Sequence, residues 1–312
     1  MIEECGITVT ILLAVYNGEK YLKQQIDSLI EQTYKDIKIV VRDDGSTDNS
    51  CAIIDDFCKE YPDKIFRATG SPTGSAKQNF ACLLEECDSD YIMFCDQDDV
   101  WLPDKVEKTM IAMKKAEENT DIPVLVHTDL KVADQNLNII SDSFFEFQKL
   151  TQNDITLPKL LVQNYVTGCT VMMNRALKNV CGKVSDGCIM HDWWLALIAV
   201  ITGKLVCVKE ATMLYRQHSN NQVGAKASYG FAYIKRKLST LNEVRGNYRA
   251  TYLQAAALLE SYDGILSEEQ KKIITAYCEI PNKSKFGRIS IMRKYGFKKC
   301  TLIRVIGQYL LI

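Results

Sequence analysis

Over the first 140 residues, apolar positions switch repeatedly between two periods. Residues 7–15 form a β-rich apolar run that ends at Tyr16-Asn17-Gly18, after which Tyr21, Leu22, Ile26, Leu29 and Ile30 recur at helical spacing. Residues 37–41 predict a second strand, closed by Asp43-Asp44-Gly45-Ser46, and Ile53, Ile54 and Phe57 carry the helix that follows. A short third strand is expected at 65–68, a helix at 74–86, and a fourth strand at 91–95 ahead of Asp96-Gln97-Asp98-Asp99. Pro103 is suited to open the next helix at its first position, with Asp104 in the first turn, and residues 124–132 read as another strand.

Strands separated by helices imply parallel pairing with right-handed crossovers, and such sheets bind ligands beyond the carboxyl ends of their strands. The polar clusters at 14–17, 43–46 and 96–99 all fall at those ends, so they should meet in one crevice. The pattern loosens past residue 140. Residues 144–165 are mixed, with helical signals at 157–162; 166–173 read as a strand carrying Gly168, 191–200 as a helix, and 205–208 and 213–215 as two strands. From Ser228 onward the reading is helical, with Pro281 as the clear break. The expected fold is therefore α/β, a mostly parallel sheet flanked by helices, with a helical C-terminal appendage. The expected division is one domain at 1–225, with halves to about 132 and at about 133–225, and a basic helical region at 226–312.

Charge sharpens that division. Net charge is -1, which gives the whole chain no bias toward nucleic acid. From residue 223 to the end, however, there are 16 Lys/Arg against 6 Asp/Glu, and after Glu279 there are 8 Lys/Arg and no acids. The acidic first part suits a cation site and the basic last part an anionic surface. The 12 Cys are scattered without a CxxC pair, and Glu3 and Glu4 stand where a leader needs basic residues. Thr202, Gly203 and Lys204 interrupt the longest apolar stretch. These features lead to the expectation of a cytoplasmic protein without membrane spans.

In extended chain, residues two apart share a side, so Asp96 and Asp98 can converge on one Mg²⁺ or Mn²⁺ while Asp99 points away. The same string also reads as an acidic turn capping the helix near Pro103. At Asp43-Asp44, one carboxylate could accept the imide N–H of a uracil or thymine ring, whereas Asp48 suits turn and cap chemistry.

Three segments together resemble family 2 glycosyltransferases: Ile11-Leu12-Leu13-Ala14-Val15-Tyr16-Asn17-Gly18, Val41-Arg42-Asp43-Asp44-Gly45-Ser46-Thr47-Asp48, and Asp96-Gln97-Asp98-Asp99 with Trp101-Leu102-Pro103-Asp104-Lys105. The resemblance spans roughly residues 7 to 222 and implies a GT-A fold and an inverting reaction, with 1–225 as the catalytic domain, a nucleotide-binding half to about 132 and an acceptor half at about 133–225. It implies that Ala14, Val15 and Tyr16 hold the nucleoside, Asp44 reads the base imide, Asp96 faces ribose and metal, and Asp98 is the main metal ligand. Lys77 and Asn79 would contact the nucleotide, and the segment at Gly168 would border the donor sugar. The family's base aspartate lies at the start of a helix in this region, which points to Asp192 in His191-Asp192-Trp193-Trp194; a carboxylate is ionised at neutral pH and can take the acceptor's proton. Of Trp193 and Trp194, about 100° apart on a helix, one should be core and one a sugar platform. Arg216 or His218, followed by Asn220, Asn221 and Gly224, could hold the diphosphate as charge grows on the leaving group. His127, inside a strand, reads as core.

The His-Asp-Trp-Trp and Tyr-Arg-Gln-His segments look most like bacterial rhamnosyltransferases of surface polysaccharides. That implies a dTDP-L-rhamnose or related UDP- or dTDP-sugar donor, a glycan or lipid-linked glycan acceptor, and transfer of one sugar, since the Gln-x-x-Arg-Trp motif of processive enzymes is absent. A nucleotidyltransferase would need a Gly/Arg-rich loop where Ala14-Val15-Tyr16-Asn17 stands, and a non-catalytic sugar-nucleotide-binding partner subunit stays open. The basic, amphipathic segment at 281–312 suits either peripheral contact with an anionic membrane or packing as a helical appendage.

Overall fold

The computed structural model describes residues 6–118, 120–152, 155–218 and 241–312; Asn220, Asn221, Gly224 and the start of the helical reading at 228 lie outside the described residues. The chain divides into two compact units. The first comprises Met1–Ser143, Val166–Lys183 and Gly203–Gly224, and the second Phe144–Tyr165, Val184–Thr202 and Ala225–Ile312. The segments at 144–165 and 184–202, read from sequence as part of the acceptor half, are thus grouped with the C-terminal helices.

The first unit is built on a nine-stranded sheet in the order β3-β2-β1-β4-β8-β6-β9-β5, with β7 pairing β6. Its strands are β1 (Val9–Val15), β2 (Ile37–Asp43), β3 (Ile65–Arg67), β4 (Tyr91–Asp96), β5 (Val100–Trp101), β6 (Val124–Ala133), β7 (Ile139–Ser141), β8 (Val171–Asn174) and β9 (Lys204–Arg216). β1 pairs with β2 and β4 in parallel, and β8 runs antiparallel to both β4 and β6. Six strands therefore run one way, and β5, β7 and β8 the other. β1 is buried on both faces, as a central strand with helices on either side must be, which is why its sequence is a continuous apolar run rather than an alternation.

Helices α1 (Leu22–Ile30), α2 (Ser50–Glu60), α3 (Ala76–Glu86), α4 (Lys105–Glu117) and α7 (Arg175–Cys181) belong to this unit. Leu22, Ile26 and Leu29 lie on one face of α1 and are fully buried, each stabilising the fold by roughly 1.5–3 kcal/mol. The Ser75 hydroxyl accepts from the Gln78 N–H at 3.2 Å and starts α3. α4 begins one residue after its N-cap, Asp104, so Pro103 precedes the helix instead of opening it, and its carbonyl accepts from Thr33 N–H at 2.8 Å. β9 is one strand where the sequence suggests two. Lys209 and Glu210 are exposed at a register shift against β6, and this polar interruption splits the apolar pattern. Likewise, a single 3₁₀ turn at Gly168–Thr170 replaces the first part of the strand expected at 166–173.

The second unit is helical: α5 (Phe144–Gln148), α6 (Leu157–Val162), α8 (His191–Thr202), α9 (Leu241–Tyr262), α10 (Glu268–Cys278), α11 (Lys285–Tyr295) and α12 (Leu302–Leu311). α8 is almost wholly buried, and Trp194 packs 6.0 Å from Tyr262 in its core. Besides Pro281, which sits in a 3₁₀ turn, Gly296 in the left-handed region ends α11 at a residue type suited to that backbone. Among the described residues, no helix is long and apolar enough to cross a membrane.

Candidate active site

Because β1, β2 and β4 are parallel neighbours, the loops at 16–18, 44–50 and 97–99 leave one edge of the sheet. They are also tied to one another. Asp44 N–H donates to the Val15 carbonyl at 2.8 Å, Asn17 N–H to Ser46 Oγ at 2.8 Å, and Gly18 N–H to Ser50 Oγ at 2.8 Å. The Gln97 amide makes a reciprocal pair with the Tyr16 backbone: Oε1 accepts from Tyr16 N–H at 2.7 Å and Nε2 donates to its carbonyl at 2.8 Å. Gly18 makes room for this, since a Cβ there would lie 2.5 Å from Gln97 Oε1. The Tyr16 side chain is 57% exposed at this edge, while Val15 is buried and Ala14 sits between Arg42 of β2 and Asp96 of β4.

The two acids after β2 divide their work. Asp43 accepts from Gly45 and Ser46 N–H, both at 3.0 Å, and from the Ser46 hydroxyl, which fixes the turn. Asp44 is buried and accepts from Thr73 N–H at 2.6 Å, Thr73 Oγ1 at 2.9 Å, Gly74 N–H at 2.9 Å and the Arg42 guanidinium at 3.2 Å. Burial alone would push its carboxyl up, but the bonds from Thr73, Arg42 and Gly74 hold it below the ordinary carboxylate range. Asp48 accepts from Ser50 and Glu19, the turn chemistry its position suggests. Asn79 is buried and occupied with the strand ends, accepting from Arg42 at 2.8 Å and donating to the Arg42 carbonyl at 3.3 Å; Lys77, two residues earlier on α3, is half-buried.

The acidic string departs from strict alternation. β4 ends at Asp96, and the next two residues form a turn, so side-chain direction past that point no longer follows a period of two. Asp99, expected to point away, is fully buried, and a carboxylate oxygen of it lies within 4.8 Å of one on Asp96 and of the Cys169 thiol. Burial, then the charges of Asp98 and Asp96, push its carboxyl well up. One Asp99 oxygen accepts from Arg216 N–H at 3.0 Å, and the other is buried without a partner. A cluster of carboxylates with an orphaned buried oxygen fits a hard divalent cation such as Mg²⁺ or Mn²⁺, whereas burial keeps the Cys169 thiol protonated and a poor ligand for one. Gly168 begins the turn that brings Cys169 to this cluster.

His218 Nε2 lies 2.7 Å from Asp98 Oδ2, within hydrogen-bond distance. His218 thus stands on the acid string, in position to orient a ligand carboxylate. Arg216 is buried, and its guanidinium donates to the Asp98 carbonyl at 2.8 Å, the Gln135 carbonyl at 2.8 Å and Gln24 Oε1 at 2.6 Å, with the Tyr21 ring 4.4 Å away. It braces the loops at this edge. Sequence reasoning also passed over Lys105, a fully buried ammonium 3.3 Å from Thr212 Oγ1 and 4.6 Å from the Trp101 ring centroid. Burial lowers its pKa to about 8. No periodic signal marks it, because it follows Pro103-Asp104 as a charged helix start would. His127 is fully buried, and burial lowers its pKa to about 4.

Asp192 belongs to the second unit, in the first turn of α8, and is 8% exposed. It accepts from Trp193 N–H at 2.7 Å and from Asn164 Nδ2 at 3.3 Å. The adjacent tryptophans part as helical geometry requires: Trp194 enters the core, and half-buried Trp193 donates its indole N–H to the Leu160 carbonyl at 2.7 Å and lines a cavity.

Residues 10–181 match the family model described as "Glycosyl transferase family 2". The chain is 31% identical over 243 residues to a dTDP-rhamnosyl transferase, RfbG, of Shigella flexneri, covering 71% of this chain and 76% of that protein. Its fold is that of solved GT-A structures. S. aureus TarS 1-349 in complex with UDP-GlcNAc superposes with a TM-score of 0.58 at 14% identity, over 98% of this chain and 84% of that one. A mannosyltransferase from Pyrobaculum calidifontis, in complex with GDP-Man and Mn²⁺, gives a TM-score of 0.55 at 14% identity, over 91% and 73%.

Proposed function

The chain belongs to glycosyltransferase family 2, and on that premise we propose that it moves a single sugar, with inversion, from a nucleoside-diphosphate donor to a glycan or lipid-linked glycan acceptor in surface-polysaccharide synthesis. The observation that carries this reading is the gathering of Tyr16, Asp44 and Asp98 at one sheet edge, cross-braced through Gln97 and His218. Ala14, Val15 and Tyr16 seat the nucleoside, with the exposed Tyr16 ring offering a stacking face. Asp44, charged and fixed, accepts the imide of uracil or thymine, and to do so it exchanges one of its bonds from the Thr73–Gly74 strap. Lys77, Asn79, Gly168 and Arg216 are assigned to the donor side of the site, Asn79 and Arg216 acting by holding its loops. The similarity to the Shigella protein favours dTDP-L-rhamnose as donor.

Asp98 and Asp96 would hold a divalent cation, and Asp99, which the structure groups with Asp96, stands beside Asp96; when bound, such an ion would neutralise charge on the leaving diphosphate. His218 holds the Asp98 carboxylate in place. Asp192 takes the proton of the attacking acceptor hydroxyl, and Asn164 positions it. The second unit serves the acceptor, and its basic C-terminal segment meets an anionic membrane surface at the cytoplasmic face.

Thermal unfolding with UDP, dTDP and GDP, each with and without Mn²⁺, tests the donor site. A uracil or thymine nucleotide at a hundredfold excess over its Kd should stabilise the protein by about 2.7 kcal/mol, and only with the metal present. Release of dTDP from dTDP-L-rhamnose should follow. Absence of stabilisation by every nucleotide would overturn the reading.

A further inference from the structure

We propose that the second unit holds a binding site for the hydrocarbon chain of an amphiphilic, phosphate-bearing acceptor; the acceptor role of this ligand rests on the function proposed above. A partly open cavity of about 540 Å³ is lined, among the described residues, by residues of this unit, including Ile189, Trp193, Tyr248, Ile306 and Leu310. That volume lies within the roughly 300–1,000 Å³ of small-molecule sites. On α12, Leu302, Ile303, Ile306 and Leu310 are 75%, 45%, 50% and 67% exposed, and Ile303, Ile306 and Leu310 also line the cavity. Their spacing of three to four residues gathers them on one flank of the helix. The apolar stripe and the cavity wall are thus one continuous surface.

Two further observations select the occupant. The first is charge. Lys299 and Arg304 line the cavity, Lys299 Nζ lying 4.7 Å from the Tyr248 ring centroid and the Arg304 guanidinium donating to the Gln148 carbonyl at 3.0 Å. The segment that carries them has 8 Lys/Arg and no acids after Glu279. A neutral hydrocarbon needs no such cations, whereas a phosphate at the head of the chain does. The second is position. Asn164 lines the cavity and donates to the Asp192 carboxylate at 3.3 Å, so the wall of the cavity lies one hydrogen bond from the proposed base. A free sugar acceptor would need polar groups there, not an apolar volume.

The test uses the full chain and follows tryptophan fluorescence, since Trp193 lines the cavity. The ligands are farnesyl phosphate, farnesol, inorganic phosphate and phosphatidylglycerol vesicles. Farnesyl phosphate should bind saturably and at least fivefold more tightly than farnesol, with no response to inorganic phosphate. Gly307→Phe, at a cavity-lining glycine where a Cβ meets nothing within 4 Å, should weaken farnesyl phosphate at least tenfold. Ile306→Gln, at a half-exposed position that tolerates polarity, should weaken it at least threefold and stands in if the first variant does not fold. Equal binding by the folded variants, farnesol binding as tight as its phosphate, or a response to vesicles with none to farnesyl phosphate would overturn the proposal; the last would make α12 a membrane face and not a cavity wall. Failure here leaves nucleotide stabilisation untouched, and failure of that stabilisation leaves this binding readable.

Discussion

At the strand-end edge of the first unit, polar contacts tie together loops distant in sequence, as from Tyr16 to Gln97 or Asn17 to Ser46, whereas the cavity of the second unit is walled chiefly by aliphatic and aromatic side chains such as Ile306, Leu310 and Trp193. The first arrangement suits small, highly charged groups, because fixed donors and carboxylates need no reorganisation when charge arrives or develops. The second suits apolar volume, where the driving force is area removed from water and geometry is forgiving. A transferase that joins a diphosphate donor to a greasy acceptor has use for both kinds of surface.

The comparison can be broken at its most charged point. Asp98→Asn should lose both donor affinity and transfer, by about 10³-fold in turnover, because a bound metal supplies several kcal/mol and each tenfold costs about 1.4 kcal/mol; steady-state kinetics across a Mn²⁺ titration read this out. In the second unit, Asp192→Asn should cut kcat by roughly 10²- to 10⁴-fold while leaving the nucleotide-induced thermal shift intact, as removal of a general base does. Full activity in Asp192→Asn would place the base elsewhere.

Stability offers a smaller handle on the first unit. Burial lowers the pKa of Lys105 to about 8 in the folded protein, from an ordinary value of 10.5. Between those values the unfolded chain binds more protons, so stability should rise with pH, by up to about 1.4 kcal/mol per unit for this group. Below pH 8 both states are protonated and the dependence stops. Lys105→Met should lack this slope, and the difference in Tm between the two proteins from pH 8 to 10 isolates it. Smallest of all, Gln97→Ala removes two exposed neutral hydrogen bonds, at the low end of the usual range of about 0.5–1.5 kcal/mol each, and should lower fold stability by about 1 kcal/mol and raise the donor KM up to roughly tenfold. An unchanged KM would mean that the Tyr16 loop holds its shape without the brace.

Much of this edge was legible in the chain. The runs ending at Val15, Asp43 and Asp96 announce buried strands, and acids at strand ends announce a ligand site. What escaped depended on where periodicity stops. Asp99 departs from the strand rule because alternation ends at Asp96, and β9 reads as two strands because two charged residues sit in its bulge. Arg216 and Asn79 have the composition of ligand contacts, yet Arg216 donates to carbonyls of neighbouring loops and Asn79 bonds the guanidinium and carbonyl of Arg42 on β2. Burial of a polar side chain among backbone groups leaves no local trace in sequence. Nor does the grouping of residues 144–165 and 184–202 with the C-terminal helices, since that depends on contacts far apart along the chain.

The missing side chain at Gly18 has a practical meaning for anyone exchanging parts between such enzymes. The space it leaves is filled by an amide from the acidic turn some eighty positions later, so the two segments are complementary shapes and not independent modules. A graft that imports either one without its counterpart would set a methyl group against an oxygen, and donor preference could be transplanted only by moving both pieces together.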